Sequence, residues 1–133
     1  MTIVIDTSSL AAIVFGEPDG EMFSRMLATY DDEVCIGAPT LVEAEIVVES
    51  RQGAAALADL RGVLAALGVR TIGFDAEHAR LAADAWRRYG RGRHPAALNL
   101  GDCCSYATAK SLGAPLVYKG TDFSQTDIVA AVL

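Results

Sequence analysis

Short apolar runs recur along the chain at residues 3–5, 34–36, 69–72, 116–118 and 128–129, with helical segments filling most of the intervals between them. Runs this short, without a polar residue at every second place, read as strands buried on both faces. Strands of that kind alternating with helices predict an α/β fold in which a parallel sheet is covered on both sides. Helices are expected to begin near Ser9, Asp19, Thr40, Gly53, Asp75 and Asp102. The clearest is 75–89, where Ala79, Ala82, Trp86 and Tyr89 recur at helical spacing while Glu77, Arg80, Asp84, Arg87 and Arg88 fall on other faces. Trp86 is therefore expected in the core. The following Gly90-Arg91-Gly92-Arg93-His94-Pro95 should break the helix into a flexible loop.

With 133 residues, 52% of them hydrophobic, the chain has the material for one core and is expected to form a single domain over residues 1–133. No apolar stretch approaches bilayer length, and the N-terminus lacks the basic region of a secretory signal, so a cytoplasmic protein without membrane contact is expected. Cys35, Cys103 and Cys104 are odd in number and lack metal-site spacing, which assigns them to core packing. His78 and His94 show no zinc-pair spacing. Neither a nucleophile elbow, a phosphate-binding loop with lysine nor a dinucleotide fingerprint occurs, which argues against acyl-transfer and nucleoside-triphosphate chemistry.

The net charge of −6 speaks against general affinity for polyanions. Between Arg87 and Lys119, however, Arg87, Arg88, Arg91, Arg93, Lys110 and Lys119 face a single acid, Asp102. That region can hold phosphate, or can simply be a solvated helix end and loop.

Four acids stand where such a fold would aim them at one place. Asp6 closes the first apolar run, Glu43 opens a helix, Asp102 precedes another, and Asp122 follows the run at 116–118. Each has a local alternative: Asp6 as a helix cap with Thr7, Ser8 and Ser9, Glu43 in a capping box with Thr40, Asp102 as a cap, Asp122 as a turn residue. Asp127 is a weaker fifth acid, better read as a strand or helix cap. Parallel sheets bind ligands beyond the C-terminal ends of their strands, and that rim is where all four acids of the main group would lie. Carboxylates gathered there raise one another's pKa unless a cation compensates them. An all-oxygen donor set favours Mg²⁺, with Mn²⁺ as substitute, and metal-assisted attack of water on a phosphodiester. Hydroxyls at Thr7, Ser8 and Thr121 are near enough in sequence to orient such a site.

At these residues the chain resembles PIN-domain ribonucleases, and specifically the VapC toxins of bacterial toxin–antitoxin pairs. The resemblance covers almost the whole chain and rests on Val4-Ile5-Asp6-Thr7-Ser8-Ser9-Leu10, Thr40-Leu41-Val42-Glu43-Ala44, Leu98-Asn99-Leu100-Gly101-Asp102-Cys103 and Lys119-Gly120-Thr121-Asp122-Phe123. Trp86 through Asn99 is similar to mycobacterial-type members. The resemblance implies a five-stranded parallel sheet between helices and an acidic quartet of Asp6, Glu43, Asp102 and Asp122 around Mg²⁺ or Mn²⁺. Ser8, Asn99 and Thr121 would support it. It further implies a homodimer, a VapB-type antitoxin as partner, and a metal-dependent endoribonuclease acting on structured RNA, tRNA above all, to arrest translation. Arg87, Arg88, Arg91, Arg93 and Lys119 would then position the RNA. Two other readings remain open from the residues: a phosphoacceptor receiver domain using Asp75, and a PIN-like binding module without turnover.

Overall fold

Residues of the first strand divide between two cores by simple alternation. In β1 (Thr2–Ile5) Ile3 and Ile5 point to one face and Val4 to the other; in β2 (Glu33–Gly37) Val34 and Ile36 join the first face and Cys35 the second. The computed structural model describes residues 2–30 and 33–131. Its remaining elements are α1 (Thr7–Val14), α2 (Gly20–Thr29), α3 (Ala38–Ala66), β3 (Arg70–Ile72), α4 (Ala76–Tyr89), α5 (Leu100–Leu112), β4 (Leu116–Val117) and a 3₁₀ turn at Phe123–Gln125.

The sheet is parallel, in the order β3-β2-β1-β4, with Val4 opposite both Cys35 and Leu116. Helices α1, α2 and α3 close the face that carries Ile3, Ile5, Val34, Ile36 and Val117. Helices α4 and α5 close the other over Val4, Cys35 and Leu116. The chain runs outward from β1 to β3 and then crosses back to β4 on the other side of β1, so the order reverses at the C-terminal end of β1.

A fifth strand at 128–129 does not form. The segment touches the sheet only through a bridge between Leu116 and Ala130, with the Leu116 N–H donating to Val129 and the Ala131 N–H to Leu116. β4 is two residues long, which leaves an outer neighbour little backbone to pair with. Helix starts also move. α3 begins at Ala38 rather than Thr40 because Pro39 occupies the first turn, where its missing N–H has no partner to lose. α5 begins at Leu100, capped by Asn99 rather than Asp102. Gly53 marks a break inside α3 (φ 83°, ψ −171°), a backbone open to glycine, so the expected helix start there survives as a kink.

Trp86 is not in the core; it is 45% exposed, and the Arg93 guanidinium lies 4.2 Å from its ring centre. Nor is 90–98 a loose loop. The Arg91 N–H donates to Leu98, the Leu98 N–H to Tyr89 and the Ala96 N–H to His94 Nδ1, while Ala96 and Leu98 are buried. Cys35, Cys103 and Cys104 are free and buried, as core residues should be. Among the described residues no helix is long and apolar enough to cross a membrane.

Candidate active site

Asp6 leaves β1 where the strand order reverses and caps α1 through its side chain. It is buried, and both of its oxygens are held: Oδ2 accepts from the Ser8 N–H at 3.1 Å and the Ser8 hydroxyl at 2.6 Å, Oδ1 from the Ser105 hydroxyl at 2.5 Å. Ser105 is itself fully buried and accepts from Thr40 at 3.1 Å, while Ser8 Oγ accepts the Lys119 N–H at 2.9 Å. Three elements thus fix one carboxylate: α1, α5 and the segment after β4.

Glu43 lies in the second turn of α3 and accepts from the Thr7 hydroxyl at 2.6 Å, a contact from α1 rather than the anticipated capping box. Its other oxygen rests against Gly101 so closely that a Cβ on Gly101 would collide with it. The glycine ahead of Asp102 is therefore a steric requirement: the first turn of α5 must be bare for Glu43 to reach the rim. Asp102 occupies the third position of α5 in a reciprocal cap, receiving the Asn99 N–H at 3.1 Å while its own N–H donates to Asn99 Oδ1 at 2.9 Å. Burial, reinforced by the charges of Asp6, Asp122 and Glu43 and only partly offset by the Asn99 N–H, pushes the Asp102 carboxyl up to about 6.

These residues line one cleft of about 330 Å³ together with Thr7, Ser8, Ala11, Glu17, Val47, Arg51 and Lys119. Asp122 is not part of its lining. It is exposed at the start of the 3₁₀ turn, with no capping hydrogen bond, and acts on Asp102 through its charge. Thr121 is likewise exposed and outside the cleft; its carbonyl accepts from Ser124. Asp127 is no cap: it accepts from the Tyr106 hydroxyl at 2.6 Å and Lys110 at 2.8 Å, tying the C-terminal segment to α5. Asp75 caps α4 in a reciprocal box with His78.

Of the five basic residues expected to hold RNA, only Lys119 reaches the cleft, where Glu17 and Asp19 engage its ammonium. Arg88 turns to Tyr89 and Asp84, and to Asp127 on the far side of α5. Arg91 lines a separate apolar hollow of about 540 Å³ with Phe74, Trp86 and Leu100, and Arg93 covers Trp86. The sequence reading missed Ser105, Gly101 and Arg51. Ser105 was signalled by its place one turn after Asp102 in an otherwise apolar helix face, and Arg51 by the i, i+4, i+8 series Glu43, Val47, Arg51.

Among the described residues no three His, Cys, Asp or Glu side chains converge tightly enough to enclose an ion unaided. The residues placed to hold a cation are Asp6, Glu43 and Asp102, all oxygen donors around an open cleft. Such a set fits Mg²⁺ or Mn²⁺, which bind through one or two carboxylates and keep several waters. Their mutual repulsion at Asp102 is what a divalent charge would relieve.

The PIN domain family model matches residues 3–129. A Ribonuclease VapC of Mycolicibacterium smegmatis is 45% identical over 129 residues, covering 96% of this chain and 98% of that protein. VapC20 of Mycobacterium tuberculosis, described as a Sarcin-Ricin loop cleaving toxin, superposes with a TM-score of 0.80 at 21% identity, over 97% of this chain and 98% of that one. VapBC2 of Rickettsia felis, solved on a fragment of its promoter DNA, gives 0.75 at 13% identity over 98% of each chain. The chain belongs to the PIN-domain family, in its VapC ribonuclease branch. That membership removes the receiver-domain reading based on Asp75.

Proposed function

We propose that this protein is the toxin of a type II toxin–antitoxin pair, a Mg²⁺-dependent endoribonuclease that cuts structured RNA, tRNA first among the candidates, in the cytoplasm and so inhibits translation. The observation that carries the reading is the shared cleft of Asp6, Glu43 and Asp102, each carboxylate held by its own hydroxyl or amide donor. Asp6, Glu43 and Asp102 would hold the divalent cation, which would supply an acidified water and offset charge on the phosphate. The chain's own residues do the rest. Ser8 and Ser105 fix the direction of Asp6, Thr7 fixes Glu43, and Asn99 holds Asp102 at the head of α5. A cleft carboxylate takes the proton from the attacking water. Asp122, Asn99 and Thr121 support the rim, and Lys119 offers a cation to the phosphate, with Arg87, Arg91 and Arg93 binding more distant RNA.

The partner is a VapB-type antitoxin. Solved structures similar to this chain include toxin–antitoxin complexes, which supports this, as does an open acidic cleft able to receive a basic side chain from another protein. A homodimer is supported by an apolar surface beside the cleft, where Val42, Ile46 and Leu100 stand out into solvent, Leu100 at 79% exposure.

The test is brief induction of the wild type and of Asp6→Asn, followed by mapping of new RNA 5′ ends and by cleavage of the identified RNA with and without EDTA. Wild-type cleavage that requires Mg²⁺ and disappears in folded Asp6→Asn is expected. Turnover by the folded variant at the wild-type rate would refute the assignment. A folded wild-type chain that binds RNA and does not cut it in the presence of Mg²⁺ would favour a binding module.

A further inference from the structure

Two basic side chains line the acidic cleft, and they differ in one respect. Lys119 is engaged by Glu17 and Asp19, whereas among the described residues Arg51 pairs with no carboxylate, despite sharing the cleft with Asp6, Glu17, Glu43 and Asp102. Its guanidinium instead lies 5.6 Å from the centre of the Phe15 ring, a contact that orients the group while leaving its N–H donors free. Glu43, Val47 and Arg51 all line the cleft, as residues one turn apart on a single helix face must. The eight positions from Glu43 to Arg51 correspond to about 12 Å of helix.

We propose that Arg51 is a phosphate-binding residue, and that it holds a backbone phosphate of the RNA other than the one being cut. This rests on the nuclease reading above and extends it to a second contact point. A planar guanidinium presents paired donors matched to phosphate oxygens. Arg51 stands about two turns of α3 beyond Glu43 in the same cleft, so a strand whose scissile bond lies at the carboxylates presents a different phosphate to Arg51. In an acidic cleft such an anchor has a clear use: the carboxylates repel the RNA backbone, and a cation away from them fixes the strand without displacing the metal-binding acids.

The experiment uses the whole chain with an RNA oligonucleotide spanning its mapped cleavage site, and a series in which one uncharged methylphosphonate replaces each phosphate near the cut. For wild type, one position beyond the scissile phosphate should raise KM about tenfold with little change in kcat, the size of one charged hydrogen-bonding contact. Arg51→Gln, shown to melt like wild type, should suffer the same rise on unmodified RNA and no additional rise at that position. Arg51→Lys should recover part of the loss, and the log–log salt slope of RNA binding should fall by about 0.7 in Arg51→Gln. A folded Arg51→Gln with wild-type KM and salt slope would overturn the proposal alone, as would losses that simply add at every position. No Mg²⁺-dependent cleavage by wild type would overturn the nuclease reading and the proposal with it.

Discussion

Replacing Asp102 by asparagine should make the metal-free protein more stable at neutral pH. Burial and neighbouring charges raise the Asp102 carboxyl from 3.8 to about 6. A carboxyl raised in the folded state contributes stability at low pH and loses it as pH rises: below 3.8 both states hold the proton, and above about 6 the folded state must ionise an unfavourably placed group. At about 1.4 kcal/mol for each tenfold change in acidity, the penalty above pH 6 has an upper bound of about 3 kcal/mol. Because the side chain is partly open to solvent, about 2 kcal/mol is the better figure. Asparagine carries no charge, yet its carbonyl can still accept the Asn99 N–H, so the helix cap survives. In EDTA at pH 7.5, Asp102→Asn should therefore melt roughly 6–8 °C above wild type. The difference should shrink steadily as pH is lowered to 4.5. Adding Mg²⁺ at pH 7.5 should raise the wild type and not the variant, closing the gap. A melting difference that is absent in EDTA, or the same at both pH values, would refute the electrostatic account of this residue.

Gly101→Ala should lower kcat by about a hundredfold through displacement of Glu43, with the melting temperature unchanged or slightly raised because alanine favours the helix; a fully active variant would show that Glu43 need not reach the rim. Ser105→Ala removes a donor to Asp6 and an acceptor for Thr40, and should weaken Mn²⁺ binding by 10–100-fold in a calorimetric titration, alongside a loss of about 1–3 kcal/mol in stability. If the proposed homodimer forms through this surface, Leu100→Asp should convert it to a monomer in light scattering while leaving the metal-free melt close to wild type, because the side chain is already in water in the single chain.

The parallel sheet was legible because its strands are buried on both faces, which concentrates apolar residues at 3–5, 34–36 and 116–118 and leaves little else they can be. The same reasoning overcounted at 128–129, where an apolar pair looks like a strand although its neighbour β4 offers only two residues to pair with. Asp6 was legible twice over, as a cap and as a strand-end acid, and it serves as the cap in the folded chain. Glu43 and Asp102 were legible from their places near helix starts and from local motif, but their tertiary supports were not. Ser105 lies 99 residues from Asp6 and Thr7 lies 36 from Glu43, separations that no local pattern encodes. Charge along a sequence says nothing about direction: Arg88 points to Asp84 and Asp127, while Arg51, isolated among acids in the sequence, lines the cleft. Trp86 had the spacing of a core residue, but α4 leaves that flank open to Arg93.

Asp6 ends a strand, starts a helix and lines the cleft, so folding and chemistry cannot be separated at that position by an arbitrary replacement. In any selection for cells that survive expression of this gene, alleles with alanine or valine at codon 6 would also shed the cap and lower the amount of protein. Silent survivors of that kind would carry no message about catalysis. Only asparagine, which keeps an acceptor for the Ser8 N–H while discarding the charge, separates the two effects, and it is the allele to carry forward from such a screen.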